Sequence, residues 1–171
     1  MWDTIAADAA AQSPVWADAL LPPDERDCAP VFSALVPAAL ALGVETIYEG
    51  FLVHYGRPRL FAPPDGDTAL LLGDYLYANG LVRVAETGNV AAVADLAELI
   101  ALCAQSRADG GVGEAAAWAA TCSRLGEGGL EEARAALRLR GDPAPLEQAA
   151  RAAVSHDRIE RAFAAHAALV G

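Results

Sequence analysis

From Ala69 to Arg107 the chain is almost continuous Ala, Leu, Val and Ile, punctuated by Gly88-Asn89. Apolar residues there recur at the helical spacing of three and four, so the stretch predicts two consecutive helices, about Ala69 to Glu86 and Val90 to Arg107. The first is apolar nearly all round and is expected to be covered on both sides. In the second, Asp95, Glu98 and Gln105 fall on one narrow polar stripe. Two such helices need other helices to bury them, which already restricts the chain to a helical bundle.

The rest of the composition agrees. Alanine, leucine, arginine and glutamate lose little side-chain freedom in a helix. Aromatics are only 6 %, and no Val/Ile/Thr alternation long enough to build a sheet is present. At 171 residues the chain can bury one core. The expected architecture is an all-α single-domain bundle of about seven or eight helices. Residues 1-28 are read as a variable N-terminal arm, 29-113 as the helical core and 114-171 as C-terminal helices.

Punctuation elsewhere is clear. Ser13-Pro14 and Pro22-Pro23-Asp24 break a weak N-terminal helical stretch. A helix from about Ala29 to Leu42 contains Pro37, which predicts a kink, and Gly43 marks its end or a tight corner. From Val44 to Tyr55, the residues Val44, Ile47, Tyr48, Phe51, Leu52 and Tyr55 share one face, while Glu45, Glu49 and His54 lie off it. Asp67 or Thr68 is expected to cap the next helix. Gly110, Gly111 and Gly113 break the chain before helices at about Glu114 to Arg124, Leu130 to Arg140 and Pro145 to Val170.

Charge excludes several functions. There are 23 acidic against 12 basic residues, all of the latter arginine, for a net charge of −11. So acidic a surface repels nucleic-acid phosphates and anionic lipids. Without lysine there is no Schiff-base chemistry. Cys28, Cys103 and Cys122 have no zinc-type spacing and read as buried reduced thiols. No run is long and apolar enough to span a membrane, and Met-Trp-Asp-Thr does not begin like a secretory signal, so a cytoplasmic location is expected. Asp65 and Asp67 read as turn residues, and Asp157 and Glu160 among arginines as a solvated helix face. His156 and Glu160, four apart, are thin ground for a metal site.

One region carries a resemblance. Val44-Glu-Thr-Ile-Tyr-Glu-Gly-Phe-Leu-Val-His-Tyr-Gly-Arg-Pro-Arg is followed, after a turn, by Leu72-Gly73-Asp74-Tyr75-Leu76. In order and spacing this resembles the trans-type polyprenyl diphosphate synthases. Leu52-Val53-His54 matches the end of one family helix, Gly56-Arg57-Pro58 a turn after it, and Gly73-Asp74-Tyr75-Leu76 the start of a later helix. The resemblance spans roughly 29 to 113. The family's magnesium-binding Asp-Asp-x-x-Asp is missing, because Tyr55-Gly56 follows His54 directly. The second Asp-rich motif is also missing, and Asp24-Glu25-Arg26-Asp27 stands where the family has a basic diphosphate-binding segment.

Diphosphate departure needs metal or cationic stabilisation of the developing charge, so the resemblance implies a chain without catalytic residues or metal ligands of its own. It is similar to the small subunit of heteromeric synthases. Magnesium is then expected only in a catalytic partner, and a self-associated homodimer is the alternative. The implied partner surface is the helix bearing Leu71, Asp74, Tyr75, Ala78 and Val82. Arg57 and Arg59 are a residual basic pair for contact with a prenyl diphosphate, or else structural residues. Asp74 reads as a buried carboxylate. A self-associating helical protein holding an apolar or prenyl ligand is the second reading, and an enzyme of altered chemistry the last.

Overall fold

A computed structural model describes residues 1–170. It is an all-α single-domain bundle: α1 (Trp2–Gln12), α2 (Pro14–Asp18), α3 (Ala38–Tyr55), α4 (Gly66–Ala85), α5 (Val90–Ala108), α6 (Glu114–Ser123), α7 (Glu131–Arg140), α8 (Ala144–Ala153) and α9 (His156–Val170). Short 3-10 turns lie at Pro23–Glu25 and Ser33–Leu35. Among the described residues the only β-type pairing is an isolated bridge between Leu20 and Phe61. No helix there is long and apolar enough to cross a membrane.

The helices begin and end where local chemistry directs. Asp65, rather than Asp67 or Thr68, caps α4, accepting from the Thr68 N–H at 2.7 Å. Asn89 caps α5 through the Ala92 N–H. Gly141, in the left-handed region, closes α7. The expected Pro145 to Val170 helix is two helices, because Val154 is extended and the Ser155 carbonyl starts a new hydrogen-bonded turn. That break takes the total above the expected seven or eight, to nine α-helices among the described residues.

Gly43 does not end a helix. It lies inside α3, which runs unbroken from Ala38 to Tyr55, and Pro37 precedes the helix instead of kinking it. The reason is the neighbouring helix. A Cβ at Gly43 would fall 3.0 Å from the Gly80 carbonyl oxygen, and one at Gly80 would fall 2.8 Å from that of Gly43. Gly50 meets the Gly73 carbonyl oxygen in the same way at 2.9 Å. Glycines seven apart on α3 therefore face glycines seven apart on α4, and the antiparallel backbones nearly touch. A glycine costs a helix roughly 1 kcal/mol, and the close packing it permits outweighs that cost.

Two apolar clusters form the core. The larger centres on Phe32, Tyr48, Phe51 and Trp118, with leucines of α5, α7, α8 and α9 around them. Phe32 stacks on Trp118 at 5.5 Å, and Tyr48 meets the same indole edge-on at 5.0 Å. The smaller joins Ile5 and Ala9 of α1 to Val53, Leu60, Phe61, Leu72 and Leu76, with Trp2, Trp16 and Tyr75 at its rim. The N-terminal arm is thus packed onto α3 and α4. Of the three cysteines, Cys103 and Cys122 are buried thiols, but Cys28 is exposed in the irregular stretch before α3.

Candidate functional site

Glu45 and Glu49, expected off the apolar face of α3, are completely buried. Both turn to Arg59, on the segment after α3. Arg59 Nη2 donates to Glu45 Oε2 at 2.8 Å and Nε to Glu49 Oε2 at 3.0 Å. Glu49 Oε1 accepts the backbone N–H groups of Arg59 and Leu60, and Glu45 Oε1 those of Val31 and Ser33. Arg59 Nη1 donates to the Ala29 carbonyl, and the Trp2 ring covers the guanidinium at 4.6 Å. Burial alone would lower the Arg59 pKa; the two carboxylates outweigh it and raise it, so Arg59 stays charged. Burial pushes Glu49 upward, but three donors on its carboxylate fit the ionised form.

This network changes the reading of the basic pair. Arg59 is 1 % exposed, and its guanidinium already serves both glutamates and the Ala29 carbonyl, so it offers nothing to a diphosphate. Its work is to fix the chain on either side of α3. Arg57, two residues away, is exposed, and its N–H is tied to the Leu169 carbonyl at 2.8 Å. The two arginines do not converge on one site.

The face of α4 opposite α3 is different. Leu71 is 63 % exposed and Val82 55 %, with Ala78 between them on the same stripe and Leu70 beside it. The helix expected to be covered all round is covered on only part of its circumference. Asp74, expected to be buried, is mostly exposed on this same stripe, with Oδ1 3.3 Å from His54 Nε2. His54 reaches there because its ring lies against Gly73, where any side chain would collide with it. Burial lowers the His54 pKa, and Asp74 only partly opposes that. Tyr75 does not belong to the open stripe: its ring packs, tilted, against that of Trp16 of α2 with centroids 4.4 Å apart, and it is half-buried. The N-terminal arm covers that side of α4, held further by an Arg83–Asp8 ion pair.

At the C-terminal end of α3, where the resemblance places Asp-Asp-x-x-Asp, the helix stops at Tyr55 and Gly56 turns the chain. Among the described residues no three His, Cys, Asp or Glu side chains gather into a set that could hold a metal ion. The residues present do not fit the family's magnesium. His156 and Glu160 approach to 3.9 Å on the surface of α9, where Arg151 takes the same carboxylate at 2.6 Å.

Two signals for these features stand in the sequence. Glu45 and Glu49 are four apart and so share a helix side, and Arg59 follows ten residues after Glu49. Gly43-x6-Gly50 and Gly73-x6-Gly80 mark two helix faces that can approach closely. Comparison of the chain with family models, with curated proteins and with solved structures finds no match.

Proposed function

We propose that this protein is a non-catalytic accessory subunit that docks a catalytic polyprenyl diphosphate synthase chain through the exposed face of α4. The observation that carries the reading is the stripe of Leu71, Ala78 and Val82, with Leu70 beside it, left open on a helix whose other side is locked to α3. Leucine and valine so exposed, in line and four to seven residues apart, form the kind of helix face that partners cover. The choice of a synthase as partner rests on Leu52-Val53-His54 and Gly73-Asp74-Tyr75-Leu76, in the order and spacing described above.

Two further observations support the non-catalytic part. The end of α3 carries Tyr55-Gly56 in place of metal-binding carboxylates, and Arg59 is spent inside the fold. The centre of the bundle is filled by Phe32, Tyr48, Phe51 and Trp118, each 1 % exposed or less. That packing leaves no room for a growing prenyl chain, so an influence on product length would act through the partner's shape and not by lining its tunnel.

The test is co-expression with the catalytic synthase of the same organism. A stable complex on size exclusion, with a change in product length or rate on adding this chain, is the expected result. Failure of the two chains to co-purify, with unchanged products, overturns the reading.

A further inference from the structure

Away from α4, a cleft of about 290 Å³ opens where the end of α5, the start of α6 and the end of α9 meet. Arg107, Val112, Glu114, Ala115, His166 and Val170 line it. His166 is 5 % exposed, and its Nδ1 lies 2.9 Å from the Tyr48 hydroxyl inside the core. Tyr48 is fully buried, and this is the hydroxyl's one hydrogen bond among the described residues. A buried hydroxyl proton without an acceptor is costly, so Tyr48 donates and His166 Nδ1 accepts. The remaining proton is then on Nε2, which has no protein partner among the described residues and sits on the edge of the ring away from Tyr48.

The other polar groups of the cleft are also mostly donors. Arg107 gives its Nε to Glu114, which leaves the two Nη groups uncommitted, and its guanidinium rests over the rings of Tyr55 and Phe51 at 5.6 and 5.9 Å. Gly113, the residue before α6, offers no side-chain cap, so the first N–H groups of that helix are unspent. Carbonyls at the neighbouring helix ends are occupied: Ser106 accepts from Gly111, Gln105 from Asp109 and Leu169 from Arg57. The one carboxylate, Glu114, engages Arg107 through Nε alone. Val112, Ala115, Ala167 and Val170 supply the apolar part of the lining.

We propose that this cleft binds a small monocarboxylate with a short alkyl chain. The carboxylate oxygens would accept from His166 Nε2 and Arg107 Nη while the chain lies on the valine and alanine wall. One carboxylate suits the free Nη donors of a single arginine that already has a carboxylate partner; a diphosphate would be left with most of its charge unmatched.

The experiment titrates the full chain with hexanoate by calorimetry, in parallel with hexanamide and inorganic pyrophosphate. The imidazole nitrogens of His166 are followed by NMR. Expected are saturable hexanoate binding, at least about tenfold weaker binding of hexanamide, none of pyrophosphate, and a shift of an Nε2–H tautomer of His166 on binding. Ala167→Glu, on the exposed side of α9, should abolish binding with an unchanged helical spectrum. Val112→Asp, on the loop, provides a second block should the first disturb the helix. No saturation by about 10 mM hexanoate, where even a millimolar site would be mostly filled, overturns the site. Equal binding of hexanamide overturns the carboxylate assignment, and binding retained in both variants overturns the location.

Discussion

Gly43 and Gly80 face each other across α3 and α4 so closely that a Cβ on either would lie 3.0 Å or less from the other's carbonyl oxygen. That contact sets which side of α4 is consumed by the fold and which side is left open. A helix pair held this tightly on one face presents the other as a rigid surface, with Leu71, Ala78 and Val82 in fixed positions.

Gly80→Ala should therefore destabilise the protein by about 1–3 kcal/mol, despite alanine's better helix propensity, because two backbones must separate to admit a methyl group. Gly66→Ala at the start of α4, where an added Cβ meets nothing within 4 Å, serves as the control and should be neutral or slightly stabilising. Urea unfolding of the two variants checks the difference.

Arg59→Met removes the one cation from two buried carboxylates. Leaving such charges unpaired costs about 3–5 kcal/mol, and the variant should unfold at much lower urea concentration or fail to fold at 37 °C. Arg57→Ala, at an exposed position, should stay within about 0.5 kcal/mol of the parent. Comparable losses from the two substitutions would contradict the structural role of Arg59.

His166 gives a pH dependence of known sign. Burial pulls its pKa from 6.5 down to about 4, with Arg107 adding to the effect. Between those values the unfolded chain binds the proton and the folded chain does not, so folding is favoured less as pH falls. The stability is complete above about pH 6.5 and lost progressively down to pH 4, by roughly 3 kcal/mol in all. The buried carboxyls Glu49 and Glu114 are shifted upward and act in the opposite sense as pH falls. The comparison that isolates the histidine is parent against His166→Gln: the gap between their stabilities should narrow from pH 7 to pH 4.5.

Much of the bundle was legible in the chain. The period of Ala, Leu and Val placed α4 and α5 to within a few residues, and Gly88-Asn89 and the Gly110 to Gly113 break fell where helices end. The departures share one cause: pairing between segments distant in sequence. Gly43 reads locally as a stop or a corner, yet it lies inside α3, and what it serves is the close approach of Gly80. Glu45 and Glu49 read as polar outliers until Arg59 folds back onto them. Tyr75 looks like part of an open stripe until Trp16 of the N-terminal arm covers it, and Asp74 looks buried until the surrounding face proves uncovered. Helical period assigns residues to faces, but what covers each face is a tertiary matter. The proposed site was legible in part, since Leu71, Asp74, Ala78 and Val82 all lie exposed on one stripe.

The purified chain alone, given allylic and homoallylic diphosphates with magnesium, should form no prenyl product, because neither a carboxylate set for the metal nor an uncommitted cation pair stands at the end of α3. Product formation in a radiochemical assay would contradict that reading.

The most direct test of α4 as the docking face is light scattering on size-exclusion peaks of the chain co-expressed with its organism's catalytic synthase, parent against the double variant Leu71→Glu/Val82→Glu. The parent should give a complex containing both chains, and the variant only separate chains, with a melting temperature near the parent's because both positions are exposed. A complex that survives the double substitution, or none with the parent, would contradict docking through α4.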